Sequence, residues 1–540
     1  MSQKPSLRPA MLGAAHLNAS EYSNSRHADL LNRRQQAMGN GVLFYHDPIN
    51  VVRGESVWLY DDEGKKYLDC YNNVASVGHC NPEVVKALTS QASTLNTHTR
   101  YLNDNVVNYA EKLVSLLPKH LTTCVFTCTG SEAIDLAIRM AKAHTGNDGI
   151  INIESSYHGN TTLVNEVSSA AQPIASQRPK NVISVEPPNT YRGPFRNSGE
   201  KDPGKAYANL VDDAIHQLKT RDINPAAFLC DTIFDTQGVL AAPKNYFKEV
   251  KQKIHAAGGL WIADEVQAGL CRTGKWWGFE HYDVAPDIMV LGKPLGNGHP
   301  IGVLITTEEI AASFAKSNQF YFNTFAGNPV SAAVGLKVIE ECERLKLVDN
   351  CRDTGAYLRA GLEKLKEKHA VIGNIRGHGL FLGVELVHDQ QSLSPAADIA
   401  STLPDKMKDN GVLIGMSGRF GNVLKIRPPL VFKKEHADLF LRTFDQVLTN
   451  KDSAKTEPNI SKSPKTNTQS STRPNAQSKT ASVTNQISAQ TLPKVITERV
   501  IANLHKQGVN ELVVSSPSVI TPLAKEKARS LKMSLVINKL

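Results

Sequence analysis

Between about residues 75 and 340, helical stretches alternate with short apolar runs, and this alternation restricts the chain to few architectures. Helical spacing shows in 108-NYAEKLVSLLP and 131-SEAIDLAIRMAKAH. The apolar runs are 121-LTTCVFT, 149-GIINI, 226-AAFLCDTI, 258-GGLWIADEV, 285-APDIMVLG and 301-IGVLITT. Such a pattern predicts an α/β domain with a largely parallel sheet. A chain of 540 residues with 41% hydrophobic content has core enough for more than one domain.

The flanks complete the expected layout. In 56-SVWLYDDEGKKYLDCYN-72 a DDEG turn separates two hydrophobic runs, which predicts a hairpin. Residues 1–70 are expected to join a smaller α+β domain spanning 344–450, with the large domain at 71–343. The smaller domain should contain the helix 353-DTGAYLRAGLEKLKEKH, strands in 379-GLFLGVELV and 422-NVLKIRPPLVF, and a last helix from 434. After Asn450 the composition turns to Lys, Ser, Thr, Asn, Gln and Pro, so 451–492 reads as a disordered linker. In the appendage 493–540, Val495, Ile496, Val500, Ile501 and Leu504 share one helical face, 512-LVVSS reads as a strand, and Pro522 suits a helix start.

Composition excludes several classes. The net charge is +9, and part of that excess lies in the linker, where 451–490 carries six Lys/Arg against two Asp/Glu. No aromatic-rich basic motif accompanies it, so nucleic acid is not an expected partner. Of eight cysteines only Cys124 and Cys128 are close, and no second pair completes a zinc site, so no metal is expected. Reduced thiols, no secretory leader and no apolar run near roughly 18 residues predict a cytoplasmic protein without a membrane span.

Four features fall at predicted strand ends, where α/β sheets bind ligands. In 127-TCTGSEAIDLAIRMAKAH a Thr-Gly-Ser turn opens a helix, an anion site through Gly130 and Ser131, although Ser131 could equally cap that helix. In 154-ESSYHGNT, Tyr157 is either a packed tyrosine or a face for an aromatic cofactor. Asp264 and Glu265 end an apolar strand, where a carboxylate is costly to bury unless a cation or a protonated group answers it. Lys293 follows in 291-LGKPLGNGHPIG-302. Together these fit pyridoxal 5'-phosphate: a lysine bonds to its aldehyde and then serves as base, an aspartate keeps the pyridine nitrogen protonated, and a Gly-Ser turn holds the phosphate. A cofactor-free binding or scaffolding protein would require Lys293 and Asp264 to be coincidental.

The stretches 264-DEVQAGLCRTGKWWGFEHYDVAPDI-288 and 291-LGKPLGNGHPIG-302 resemble the class III, omega-aminotransferase-type enzymes of fold type I, and the likeness spans about 40–446. It implies that Lys293 carries the cofactor, Asp264 contacts N1, Tyr157 stacks on the ring, Gly130 and Ser131 hold phosphate, and Gln267 lies near O3′. In 321-YFNTFAGNP-329 it implies that Thr324 reaches the cofactor phosphate of a neighbouring subunit, hence a homodimer with shared active sites, or a tetramer. Arg427 matches a position that binds substrate carboxylate in many members.

Within the class, 67-YLDCYNNVASVGHCNPEVVKAL-88, 99-TRYLNDNVVNYAEKL-113, 293-KPLGNGHP-300 and 421-GNVLKIRPPL-430 look closest to phospho-lyases acting on ethanolamine phosphate and phosphohydroxylysine. The stretch 231-DTIFDTQG departs from the class, offering Asp231 and no glutamate where an EPxxG-type element is usual. The resemblance implies elimination of phosphate from a small amino-alcohol phosphate, such as those of ethanolamine or 1-aminopropan-2-ol. The alternative is an omega-aminotransferase that passes the amino group of an omega-amino acid or diamine to a keto acid. A lyase needs a cationic cradle, for which Arg427 is the candidate, with Asn73 and His79 as further pocket residues. Lys425 is expected on the opposite strand face as a solvated lysine, and His299 as a pocket residue or a hydrogen-bond partner behind it. More loosely, 519-VITPLAKEKARSLKMSLVI-537 resembles segments on enzymes of amino-alcohol catabolism and bacterial microcompartments, which implies recruitment to a shell or pathway partner. A variable appendage is the plainer alternative.

Overall fold

The computed structural model describes residues 26–39, 43–172, 174–196 and 201–449, together with most of the elements between 495 and 538. The expected linker at 451–492 lies outside the described residues. Contacts divide the chain into two compact units, Met1–Lys455 and Thr456–Leu540.

The apolar runs of the first unit form one seven-stranded sheet. Its strands are β1 (Thr123–Thr127), β2 (Gly149–Ile153), β3 (Val182–Val185), β4 (Pro225–Asp231), β5 (Leu260–Asp264), β6 (Ile288–Leu291) and β7 (Gly302–Thr306). Their order across the sheet is β1-β7-β6-β5-β4-β2-β3. Neighbours from β3 through β6 pair in parallel, whereas β7 runs antiparallel to both β6 and β1. The helix Gly130–Thr145 packs on the sheet through Ile134, Leu136, Ile138 and Met140, and the helix Pro203–Lys219 packs through Tyr207, Val211 and Leu218. With both faces covered, β2, β4 and β6 are buried along nearly their whole length, as parallel strands must be.

Two smaller sheets flank this layer. The DDEG segment does turn a hairpin: Trp58–Asp61 pairs antiparallel with Lys66–Asp69, and the Asp61 carboxylate accepts the amides of Glu63 and Lys65. The sheet extends outward to Val51–Glu55 and, on its other side, takes up Val412–Leu413 in parallel. A four-stranded antiparallel sheet is ordered Ile372–His378, Phe381–Leu386, Val423–Ile426, Gly415–Ser417. The helices Leu347–Lys368 and Lys434–Thr449 pack nearby.

The second unit has its own small core of Ile496, Ile501, Leu512, Ala524, Ala528 and Met533. Val495 and Ile496 form a strand rather than the first turn of a helix, which spans Glu498–Lys506. Val495–Ile496 pairs in parallel with Val519–Ile520, and Glu511–Ser515 with Ser534–Asn538. A helix from Pro522 to Ser530 follows the expected proline. Among the described residues no helix is long and apolar enough to cross a membrane, and no group of three His, Cys, Asp or Glu side chains is placed to hold a metal.

Candidate active site

The C-terminal ends of β2, β4, β5 and β6 bring most of the expected residues to one cleft. At the end of β5, Asp264 is 5% exposed. Its Oδ2 meets His158 Nδ1 at 2.8 Å, and its Oδ1 accepts the Val266 amide. His158, from the loop after β2, is itself buried, and its Nε2 has no hydrogen-bond partner among the described residues. The neighbouring Glu265 turns the other way and accepts from Thr232, Gly278 and Phe279; burial pushes its carboxyl up to about 7. One carboxylate of the DE pair therefore serves the cleft and the other the core.

Lys293 follows β6 in a short 3₁₀ turn, Lys293–Gly296. Its side chain is accessible at the cleft floor, yet enough protein surrounds it that lost hydration lowers its pKa, with Asp264 opposing and Arg427 reinforcing that shift. Gly292 just before it lies against Gly130: a Cβ on Gly292 would stand 3.3 Å from the Gly130 Cα. The lysine thus sits next to the start of the helix Gly130–Thr145. That helix is capped by Thr129, which accepts from Glu132, so Ser131 is not the cap. The first amides of a helix have no intrahelical acceptor and form an anion site. Gly159 closes the other side, where a Cβ would come within 2.4 Å of Ser131 Oγ.

Tyr157 remains 38% exposed beside His158. Thr324 is exposed, as are its neighbours Phe320 and Phe325. Gln267 Oε1 accepts from Asn73 Nδ2 and, at 2.7 Å, from Arg427 Nη1, which joins three expected residues in one cluster. The Arg427 guanidinium carbon also lies 4.7 Å from the Tyr71 ring centroid, and the Arg427 Nε is buried without a partner among the described residues.

One expectation is corrected. Lys425 is not solvated: it is 4% exposed, and its Nζ lies 3.0 Å from Asp235 Oδ1. Lys425, on the strand, and Arg427, one residue past its end, both reach Asp235, so Lys425 accompanies Arg427 toward the cleft. The carboxylate that meets these cations is Asp235, with Arg427 Nη1 at 4.0 Å. Asp231 instead accepts the amides of Ile233 and Asp235, and burial, followed by repulsion from Asp235 and Asp264, pushes its pKa well up. His79 is tied to Asp69 at 2.7 Å, and Asp69 in turn accepts the amides of Tyr71 and Asn72. It supports the loop that carries Asn73. His299 bonds Ser331 at 2.9 Å, the supporting alternative of its two expected roles.

Burial raises the pKa of Asp235, but Lys425 and Arg427 outweigh it and hold the carboxyl below the usual range. Burial, followed by the charge of Arg427, brings Lys425 down to about 8. Sequence reading missed His158, Asp235 and Tyr71 as parts of the site. The available signals were the buried-looking Tyr-His pair after a strand and the second aspartate of DTIFDTQG.

A lysine and an aspartate at neighbouring ends of a mostly parallel seven-stranded sheet, with a helix start beside them, define a fold type I pyridoxal-phosphate enzyme. The residues present fit that cofactor: Lys293 is accessible, Asp264 is oriented by His158, and the close approach of Gly159 to Ser131 shapes a pocket at the helix start. The aminotransferase class-III family model matches residues 43–448. An alanine–glyoxylate aminotransferase 2-like protein of Drosophila melanogaster is 39% identical over 424 residues, covering 77% of this chain and 86% of the relative. The ethanolamine-phosphate phospho-lyase homolog 1 of Caenorhabditis elegans is 35% identical, covering 78% and 93%. A solved phospholyase from Arthrobacter, in complex with phosphoethanolamine, is 41% identical with a TM-score of 0.75, covering 78% of this chain and 100% of that one. The chain belongs to the class III aminotransferase family, and its cofactor is pyridoxal phosphate.

Proposed function

We propose that the protein is a phospho-lyase that converts a small amino-alcohol O-phosphate and water into an aldehyde, ammonia and inorganic phosphate. The observation that carries this reading is the pair Lys425 and Arg427, two buried cations beside Lys293 that share Asp235 as their close carboxylate partner. A departing phosphate dianion suits such a pair, and the solved phospholyase from Arthrobacter is in complex with phosphoethanolamine, a molecule that carries such a phosphate.

Pyridoxal phosphate, when bound, supplies the electron sink that lets the amine-bearing carbon release its proton. Lys293 holds the cofactor and, as a free amine, takes that proton; its depressed pKa keeps a larger neutral fraction available for the task. Asp264 holds a proton on the pyridine nitrogen, and the hydrogen bond from His158 fixes the carboxylate for this role. Arg427 and Lys425 stabilise the charge that builds on phosphate as the carbon–oxygen bond breaks and its electron pair leaves with the oxygen. Asn73 orients Gln267 and Arg427 at the cleft mouth. The enzyme acts as a homodimer in which Thr324 completes the phosphate site of the neighbouring subunit, and the exposed Phe320, Phe325 and Leu102 support such an interface.

The alanine–glyoxylate aminotransferase 2-like relative favours a second reading, transamination between an amine and a keto acid. One assay separates the two: purified, cofactor-loaded protein with ethanolamine phosphate, or with 1-aminopropan-2-ol phosphate, and no keto acid. Sustained release of phosphate and ammonia over many turnovers is expected. Turnover that stops after one equivalent and resumes with pyruvate, without phosphate release, would replace the lyase reading with the transaminase.

A further inference from the structure

A separate cavity of about 260 Å³ lies between the loops that follow β2 and β3 and the antiparallel sheet of Ile372–Leu386. Arg192, Arg376 and Glu385 line it. Glu385 is 1% exposed and receives Arg192 Nε on one oxygen and Arg376 Nη1, at 2.5 Å, on the other. One carboxylate therefore answers two guanidinium groups. The two other acids in the wall are already engaged, Glu154 by Arg178 at 2.7 Å and Glu186 by Arg419 at 3.3 Å. Arg196 adds further positive charge to the rim.

The donor count points the same way. Arg192 gives Nη1 to the Leu393 carbonyl, while its Nη2 is buried with no hydrogen-bond partner among the described residues. Arg376, 8% exposed, gives Nε to the Gly238 carbonyl at 2.7 Å and Nη1 to Asn374 and Glu385, which leaves Nη2 without a protein acceptor among the described residues. Guanidinium cannot relieve the excess by losing a proton. A buried guanidinium donor left unpaired, beside a surplus of positive charge, suits an oxyanion acceptor.

We propose that this cavity binds a small oxyanion, a phosphate or carboxylate group, through Arg192 and Arg376. The site is distinct from the Lys293 cleft: the segment Asp235–Gly238 separates them, with Asp235 turned to Lys425 and Gly238 to Arg376. Ser417 and Gly418 hold the same segment from the cavity side, through Asp235 O at 2.6 Å and Thr236 O at 3.2 Å.

The test is a calorimetric titration of inorganic phosphate, and separately of acetate, into cofactor-loaded protein carrying Arg427→Ala, which weakens anion binding in the cleft. One bound anion per chain is expected, and its relative affinity for the two probes identifies the preferred group. Adding Arg192→Gln should weaken binding about tenfold or more. Identical titrations with and without Arg192→Gln, or no binding of either probe at millimolar concentration, would overturn the proposal. Should Arg192→Gln fail to fold, Arg376→Gln carries the test: a weakening of about tenfold or more supports the site, and unchanged binding removes it.

Discussion

Lys425 Nζ and Asp235 Oδ1 lie 3.0 Å apart, both residues buried, on two elements 190 positions apart in sequence. The contact ties the antiparallel sheet to the short helical turn after β4 and keeps a cation near Arg427 and Lys293. Its worth is conditional, because each charge is costly in that surrounding without the other.

Replacing Lys425 with Met strands Asp235 beside Arg427. Urea unfolding should then require about 3 kcal/mol less, and Lys425→Met combined with Asp235→Leu should recover most of that loss. Affinity for the phosphate substrate should stay low in both variants. Equal stability of Lys425→Met and the parent would mean that the pair does not exist in solution.

The depressed pKa of Lys425 sets a pH limit. The folded protein loses this proton near pH 8, whereas an unfolded lysine keeps it to about 10.4. Between those values the unfolded state binds more protons, so the stability term from this residue improves as pH rises. Binding moves the opposite way, because the cation that meets phosphate is present below about pH 8 and lost above it. KM for ethanolamine phosphate should therefore climb above this pH in the parent and stay flat in Lys425→Arg, whose charge persists.

His158→Ala should leave the fold intact and loosen the cofactor. Without the hydrogen bond to Asp264, affinity for pyridoxal phosphate should fall by roughly 10-fold to 100-fold, the worth of a bond to a charged group. Cofactor retained through gel filtration measures this directly, and unchanged retention would assign His158 to packing.

Lys293→Ala should bind pyridoxal phosphate without the visible absorbance of the lysine-bound form, and phosphate release should slow by about 10³-fold or more. Added methylamine should restore part of the rate.

Mixed dimers test whether the site is shared. Chains carrying Lys293→Ala and chains carrying Thr324→Arg should each be inactive. Co-expressed, they should regain activity from the one site per heterodimer that combines an intact Lys293 with an intact Thr324. No recovery, with heterodimer present, would mean that both residues serve a site within one chain.

The sheet was legible because its strands are continuous apolar runs, and Lys293 and Asp264 because reactive side chains at strand ends are conspicuous. Direction was less legible: 301-IGVLITT reads the same whether parallel or antiparallel, and β7 is antiparallel. Lys425 was misread because a strand lysine is usually solvated, while its burial depends on Asp235, a partner that local pattern does not reveal. His158 was visible beside Tyr157, but its role depends on the chain returning 106 residues later with Asp264. Residue types at strand ends therefore announced the chemistry, whereas the charge partners that tune it appeared when distant segments met.

The turn Asp235–Gly238 is flanked by Phe234 at φ 49° and Val239 at φ 60°, a backbone region that a β-branched residue such as Val239 rarely enters. Four residues thus form a party wall with a charged tenant on either side. A change of length there would shift the counter-ion of Lys425 and the acceptor of Arg376 together. Substrate preference and cavity occupancy therefore cannot drift independently through this segment, and an engineer who wants to retune one of them should leave the wall alone and work from the sheets behind it.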